Sequence, residues 1–210
     1  MSLLVSVAKK ILVFVFLLVV AVVLASAYGV VHNQISFTVS PEYFTKYKFQ
    51  QFGLVDSPLP ERVRASIVGF EASWWMGPPI GLLVGVAGFL HRGHRRMLKV
   101  SLQSFVIVMA FTLIVGLFGL LCGYLVTGSI ATEELSGWTP EDVVEPRRFV
   151  CAGFMHNSSY LGGALSVLAA WVFHVVVLIK GRRQGMRHRP PRTKRRSEGD
   201  DEGARSRRFP

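Results

Sequence analysis

Residues 11–31 read ILVFVFLLVVAVVLASAYGVV, an unbroken apolar run with no charged side chain, and residues 32–52 follow as HNQISFTVSPEYFTKYKFQQF. At ~1.5 Å per residue a helix over the first stretch spans ~30 Å, the thickness of a bilayer's hydrocarbon core. Three further runs of similar character lie at 65–90, 100–126 and 149–179. A soluble fold would have to bury all four helices on every side, which a chain of 210 residues cannot do. The sequence therefore predicts an all-α integral membrane protein. Its spans form a four-transmembrane-helix bundle, with a short strand and an interfacial helix in the first outer loop.

The net charge of +11 invites a nucleic-acid reading, but the distribution argues against it. With the amino terminus inside and the spans alternating, Lys9, Lys10, Arg92, Arg95, Arg96, Lys99 and everything basic from Lys180 onward fall on the inner side. Lys46, Lys48, Arg62, Arg64, Arg147 and Arg148 alone fall outside, so the inner side carries 18 of the 24 basic residues. This is the asymmetry of a bacterial cytoplasmic (inner) membrane protein with both termini in the cytoplasm. The first span has a rival reading: Lys9, Lys10, the run from Ile11 and Ala25-Ser26-Ala27 also fit a cleaved signal peptide. The topology of the later spans is the same under both.

Domain organisation follows. Residues 1–180 form the membrane domain, with an outer lid at 33–58, and 181–210 form a basic tail too poor in apolar residues to order itself. That tail is expected to be either solvated or attracted to anionic lipid. In the lid, Ile35, Phe37 and Val39 alternate with polar residues, a strand pattern. Ser40-Pro41-Glu42 then has the makings of a helix start, and Gly53 of a stop. Thr139-Pro140-Glu141-Asp142 predicts a second short helix between the last two spans. Gly77-Pro78-Pro79 should kink the second span. Small residues at intervals of four (Gly77, Gly81 and Gly85; Gly119 and Gly123; Ser158 and Gly162; Ser159 and Gly163) predict close helix packing, within the bundle or against a partner or second copy.

The polar residues in and beside the spans are the candidates for chemistry. Glu71 is the only acid inside a run, where an ionisable group is costly and marks a functional site by default. Counted from the inner helix ends at ~1.5 Å per residue, His32, Glu71 and His156 arrive at one level, ~30–36 Å up. Glu42 can join them from the lid. Two imidazoles with one or two carboxylates suit a divalent metal such as zinc, iron or manganese. The same group suits a proton or solute pathway, and the structural alternative pairs Glu71 with Arg64 or Trp74. His174 shares a helix face with His156, so His32 with His156, and His174 with His91 or His94, could form bis-histidine haem sites. Cys122 and Cys151 either bridge or remain free thiols. No phosphate-binding, dinucleotide, zinc-protease or nucleophile-elbow motif is present, so soluble nucleotide or hydrolase chemistry has no support.

His32-x-Gln34-Ile35-Ser36, Glu42-Tyr43-Phe44-Thr45, Trp74-Trp75 and His156-x-x-Ser159-Tyr160 together resemble a group of uncharacterised bacterial polytopic membrane proteins. The resemblance spans about 28–165 and implies a bacterial membrane setting without assigning chemistry. The expected function is an inner-membrane protein, not an enzyme, whose outer-facing His/Glu cluster binds a divalent metal or assists ion or solute passage. The alternatives are a structural or accessory subunit of a membrane complex and a haem-binding membrane oxidoreductase.

Overall fold

A computed structural model describes residues 2–187, and side chains from Leu3 to Arg183. The secondary structure of the described residues is entirely helical, with turns and irregular stretches between the helices, and they form one compact unit up to Leu178; a second unit begins at Ile179. Helix α1 (Ser2–Val39) is followed by a lid of three short pieces: α2 (Pro41–Tyr43), a π-helical turn (Phe44–Lys48) and α3 (Phe49–Gln51). Helix α4 (Glu61–Ser73), a 3-10 turn (Trp74–Met76) and α5 (Gly77–Gly88) come next, then α6 (His94–Thr127), α7 (Thr132–Ser136) and α8 (Pro146–Arg187). Of these, α1, α6 and α8 are long and apolar enough to cross a membrane. Their outward side chains stay apolar: Leu12 and Val19 on α1, Val106 and Leu125 on α6, Leu168 and Val172 on α8 are more than half exposed. Exposed apolar surface on this scale needs a non-aqueous surrounding, and the protein is membrane-embedded.

Several expectations change. The strand at 35–39 is helical: α1 runs on to Val39, because Ser36 faces the bundle and the alternation is too short to compete with a helix already formed. The second short outer helix lies at Thr132–Ser136, while 139–142 is irregular, with Asp142 at φ 65°. Helix α8 continues to Arg187. The rest of the predicted tail lies outside the described residues.

The break between α4 and α5 has a local cause. Pro78 and Pro79 have no N–H to give to the carbonyls of Trp74 and Trp75. The chain tightens instead, and the Gly77 N–H bonds Trp74 O in 3-10 geometry. The halves still run together along α1. At one end Asn33 Nδ2 donates to Ala65 O at 3.0 Å and Gln34 Nε2 to Arg62 O at 2.9 Å; at the other Lys10 Nζ donates to His91 O at 2.8 Å.

Small residues set the helix spacings. A Cβ on Gly29 would collide with the Gly69 carbonyl, so α1 and α4 cross in backbone contact there. Gly77, Gly81 and Gly85 lie against Val22, Ala21 and Phe14 of α1, and Gly119 and Gly123 against Ser158 and Cys151 of α8. Both cysteines are free.

The lid closes one end. Ser40 Oγ accepts the Tyr43 N–H at 3.2 Å, Pro41 takes the first helical position, and Gly53 ends the segment at φ 64°. Tyr43, Phe44 and Phe49 are buried against Phe37, Ala65, Val68 and Phe149. Burial of each aromatic ring removes it from water at a gain of about 2 kcal/mol, which holds the lid over the ends of α1, α4 and α8.

Candidate functional site

Tyr28, His32 and Ser36 recur every four residues on α1 and so share one face. Opposite them α8 presents His156 and Ser159, which share a face at a spacing of three. The two faces are cross-laced. His32 Nε2 lies 2.9 Å from Ser159 Oγ, and His156 Nε2 lies 3.0 Å from Ser36 Oγ. The two imidazoles meet edge to face with centroids 4.7 Å apart. Both are buried, and the Tyr43 ring of the lid covers His156 at 4.9 Å.

The hydrogen-bond direction can be assigned from the partners. Asn33 Nδ2 is committed to Ala65 O, so its oxygen faces His32 Nδ1 at 3.4 Å. That nitrogen therefore carries the proton, and Nε2 accepts from Ser159, whose oxygen in turn accepts from Tyr28 Oη at 3.3 Å. The result is a directed chain from a phenol through a hydroxyl to an imidazole and an amide, with both imidazole nitrogens partnered.

Below this network lies a cavity of about 90 Å³. Its upper wall is Tyr28, His32, His156 and Ser159; the rest of its wall is mostly apolar and extends along α6 from Thr112 to Phe105. A cavity of this size, with polar partners at one end, has room for a few waters or one small molecule.

Of the four residues expected to converge, the structure brings together His32 and His156 only. Among the described residues no three His, Cys, Asp or Glu side chains are grouped so that they could hold a metal ion. Glu71 is exposed on the outside of α4. It does not pair with Arg64, whose carboxylate neighbour is Glu61 at 3.8 Å, and Trp74 is likewise exposed. Glu42 has a different role. Its carboxylate accepts the backbone N–H of Val144 at 2.9 Å and of Glu145 at 2.8 Å, fastening the lid to the start of α8, where a helix dipole favours negative charge.

His174 does meet His91, with 2.9 Å between His91 Nε2 and His174 Nδ1. The rings are bonded directly to each other, leaving no room for a porphyrin between them. His94 opens α6 and is not in this pair.

Outside the spans, burial alters three groups. It pushes the Tyr43 phenol up and the Lys48 ammonium down, although Lys48 keeps the Gln51 oxygen at 2.9 Å and the Tyr47 ring at 4.8 Å. Burial, then Arg96 and Lys10, lower the pKa of His91.

Ser36, Ser159, Tyr28 and Asn33 complete the site, and depth along the helices does not single them out. The repeat of polar residues every four positions on α1 was the available signal. The chain matches no family model, and no curated protein or solved structure matches it.

Proposed function

We propose that the protein is a multi-pass protein of a bacterial inner membrane, with both termini cytoplasmic and the broken α4–α5 pair as its fourth span. Its function is to admit protons or a small neutral solute into the bundle from the outer face. One observation carries this reading: two buried histidines from different helices, each bonded to a hydroxyl of the other helix, stand over a cavity on the bundle axis. A divalent ion has weaker support, because no carboxylate among the described residues reaches the imidazoles to offset its charge. A neutral guest or a proton needs no such counter-charge.

The lid and the lipid-like exterior fit this role. Tyr43 caps the polar end, so entry from the outer side requires the lid to move or the guest to be small. The full-length protein in liposomes containing a pH-sensitive dye tests the proposal. An imposed potential should drive proton uptake above that of protein-free liposomes, and His32→Ala and His156→Ala should each reduce it. Uptake no faster than in empty liposomes, for protons and for small neutral solutes alike, overturns it.

A second reading is favoured by Glu71. It is an exposed carboxylate flanked by exposed Phe70, Trp74 and Trp75, without a salt-bridge partner among the described residues. A charge on the outer surface of a membrane bundle suits contact with another protein, as in an accessory subunit. Glu71→Gln would then reduce the size of the complex extracted in mild detergent; an unchanged complex removes this reading.

A further inference from the structure

A second histidine pair lies at the opposite end of the compact unit from the lid. His91, in the connection between α5 and α6, and His174 on α8 are fully buried and hydrogen-bonded to each other at 2.9 Å. Their remaining nitrogens, His91 Nδ1 and His174 Nε2, have no hydrogen-bond partner among the described residues. In a neutral pair one proton occupies the shared bond, so one outer nitrogen is a bare acceptor and the other an N–H donor, whichever tautomers are present. An orphaned buried polar group costs about 1–3 kcal/mol. A pair serving only to pack two helices would gain from two apolar side chains of the same shape.

The space between the two histidine pairs is not uniformly apolar. On α8 the buried residues His156, Ser159, Ser166 and His174 lie along one face, the histidines ~27 Å apart at 1.5 Å per residue. Facing the interior, α6 buries Ser101, Ser104 and Thr112. The cavity beneath His32 and His156 descends to Phe105, the neighbour of Ser104. Ser101 Oγ is itself buried without a partner among the described residues, and a Cβ on Gly88 would stand 2.7 Å from it. The Gly88 carbonyl accepts the His91 N–H at 3.1 Å. Unpartnered polar atoms thus gather where the seam of hydroxyls meets the second pair. Lys10 of α1 and Arg96 of α6, both cationic, lie near His91 and favour its neutral imidazole and rapid release of an added proton.

We propose that the His91–His174 pair is a proton-transfer station completing a path from the chamber to the far end of the bundle. The transported species is then a proton and not a larger solute, an inference that rests on the passage reading above. The step balances without a co-reactant. A proton from a hydronium ion in the seam bonds the bare His174 Nε2. The shared proton moves from His174 Nδ1 to His91 Nε2, and His91 Nδ1 releases its own proton to water. Two neutral imidazoles remain with their hydrogen bond reversed. The pair must reset its tautomers before the next transfer, which makes this station slower than passage along water.

The test uses the full-length protein in liposomes, comparing wild type with His156→Ala, His174→Phe and His91→Gln under one imposed potential. His91→Gln keeps a hydrogen-bonding side chain but cannot relay a proton, so it decides the question if the phenylalanine variant fails to fold. Proton uptake should fall about a hundredfold in both inner variants, at the low end of what a positioned proton-transfer group contributes. Nitrogen-15 spectra of the labelled histidines should show unchanged His32 and His156 signals, confirming an intact bundle. Uptake that is lost in His156→Ala but retained in both inner variants overturns this inference and leaves the chamber reading standing. No uptake by wild type overturns both.

Discussion

Replacing Glu42 by alanine separates a metal ligand from a structural fastening. The carboxylate makes two charge-assisted bonds, 2.9 and 2.8 Å long, to backbone N–H groups at the start of α8. Such bonds contribute up to about 1.5–3 kcal/mol each when sheltered, but here water can replace the lost acceptor, so the pair together is worth about 1–2 kcal/mol. For a chain of this size that is a fall in Tm of about 2–8 °C. Glu42→Gln keeps one acceptor oxygen and no charge, and should lose roughly half as much. Thermal unfolding of the purified protein, followed by circular dichroism in one detergent at neutral pH, measures both. Added zinc provides the contrast, because a ligand held by the native state at a hundred times its Kd raises stability by about 2.7 kcal/mol. The fastening reading expects no rise in wild type or variant. An unchanged Tm in Glu42→Ala, or a zinc-dependent rise abolished by Glu42→Gln, would refute it.

Other substitutions probe the crossing, the lid and the chamber. A Cβ at Gly69 would stand 2.6 Å from the Gly29 carbonyl carbon, so Gly69→Ala should destabilise by about 1–3 kcal/mol, whereas Gly163→Ala, whose nearest neighbour is the flexible Met76 tip at 3.5 Å, should be tolerated; thermal unfolding compares them. The Tyr43 phenol is pushed above its ordinary value of 10.0 by burial, so the folded state keeps the proton longer than the unfolded chain. Its contribution is complete below pH 10 and is lost as pH rises further, so denaturant unfolding from pH 9 to 11 should weaken wild type more than Tyr43→Phe. A double-mutant cycle of His32→Ala and Ser159→Ala should return a coupling of about 1 kcal/mol, and additivity would remove their bond from the site.

The membrane setting was legible because it depends on a sum over long windows, and local error averages out. Residues 11–31, 100–126 and 149–179 all fall inside helices of the structure. The start of the lid was legible for the opposite reason, as Ser40, Pro41 and Gly53 act through their own backbone geometry. The short patterns between these scales misled. Ile35, Phe37 and Val39 alternate over only five residues, and a helix already running from Ser2 overrides so brief a preference. Thr139-Pro140 has the composition of a helix start, yet Asp142 adopts a left-handed conformation and no helix follows until Pro146.

The site was half legible because depth along a helix and rotation about it are separate coordinates. Counting residues placed His32, Glu71 and His156 at one level, and level says nothing of direction. The small residues carry the missing coordinate. A buried small residue marks where its helix points inward, whether at a close crossing, as Gly69, or beside the chamber, as Gly163. Successive residues are rotated by about 100°. Glu71 lies two positions after Gly69, about 200° round, and so points away from the crossing with α1; the structure leaves it exposed. Gly163 lies seven positions after His156, within about 20° of it, and His174 lies five full turns on, so both histidines share that glycine's face. His32 lies about 60° from the face marked by Gly29, near enough for its ring to turn inward. The glycine pattern thus does more than set the packing: it also separates the buried histidines from the outward carboxylate, and a charge inside a hydrophobic run marks the interior only when a small residue on the same face supports it.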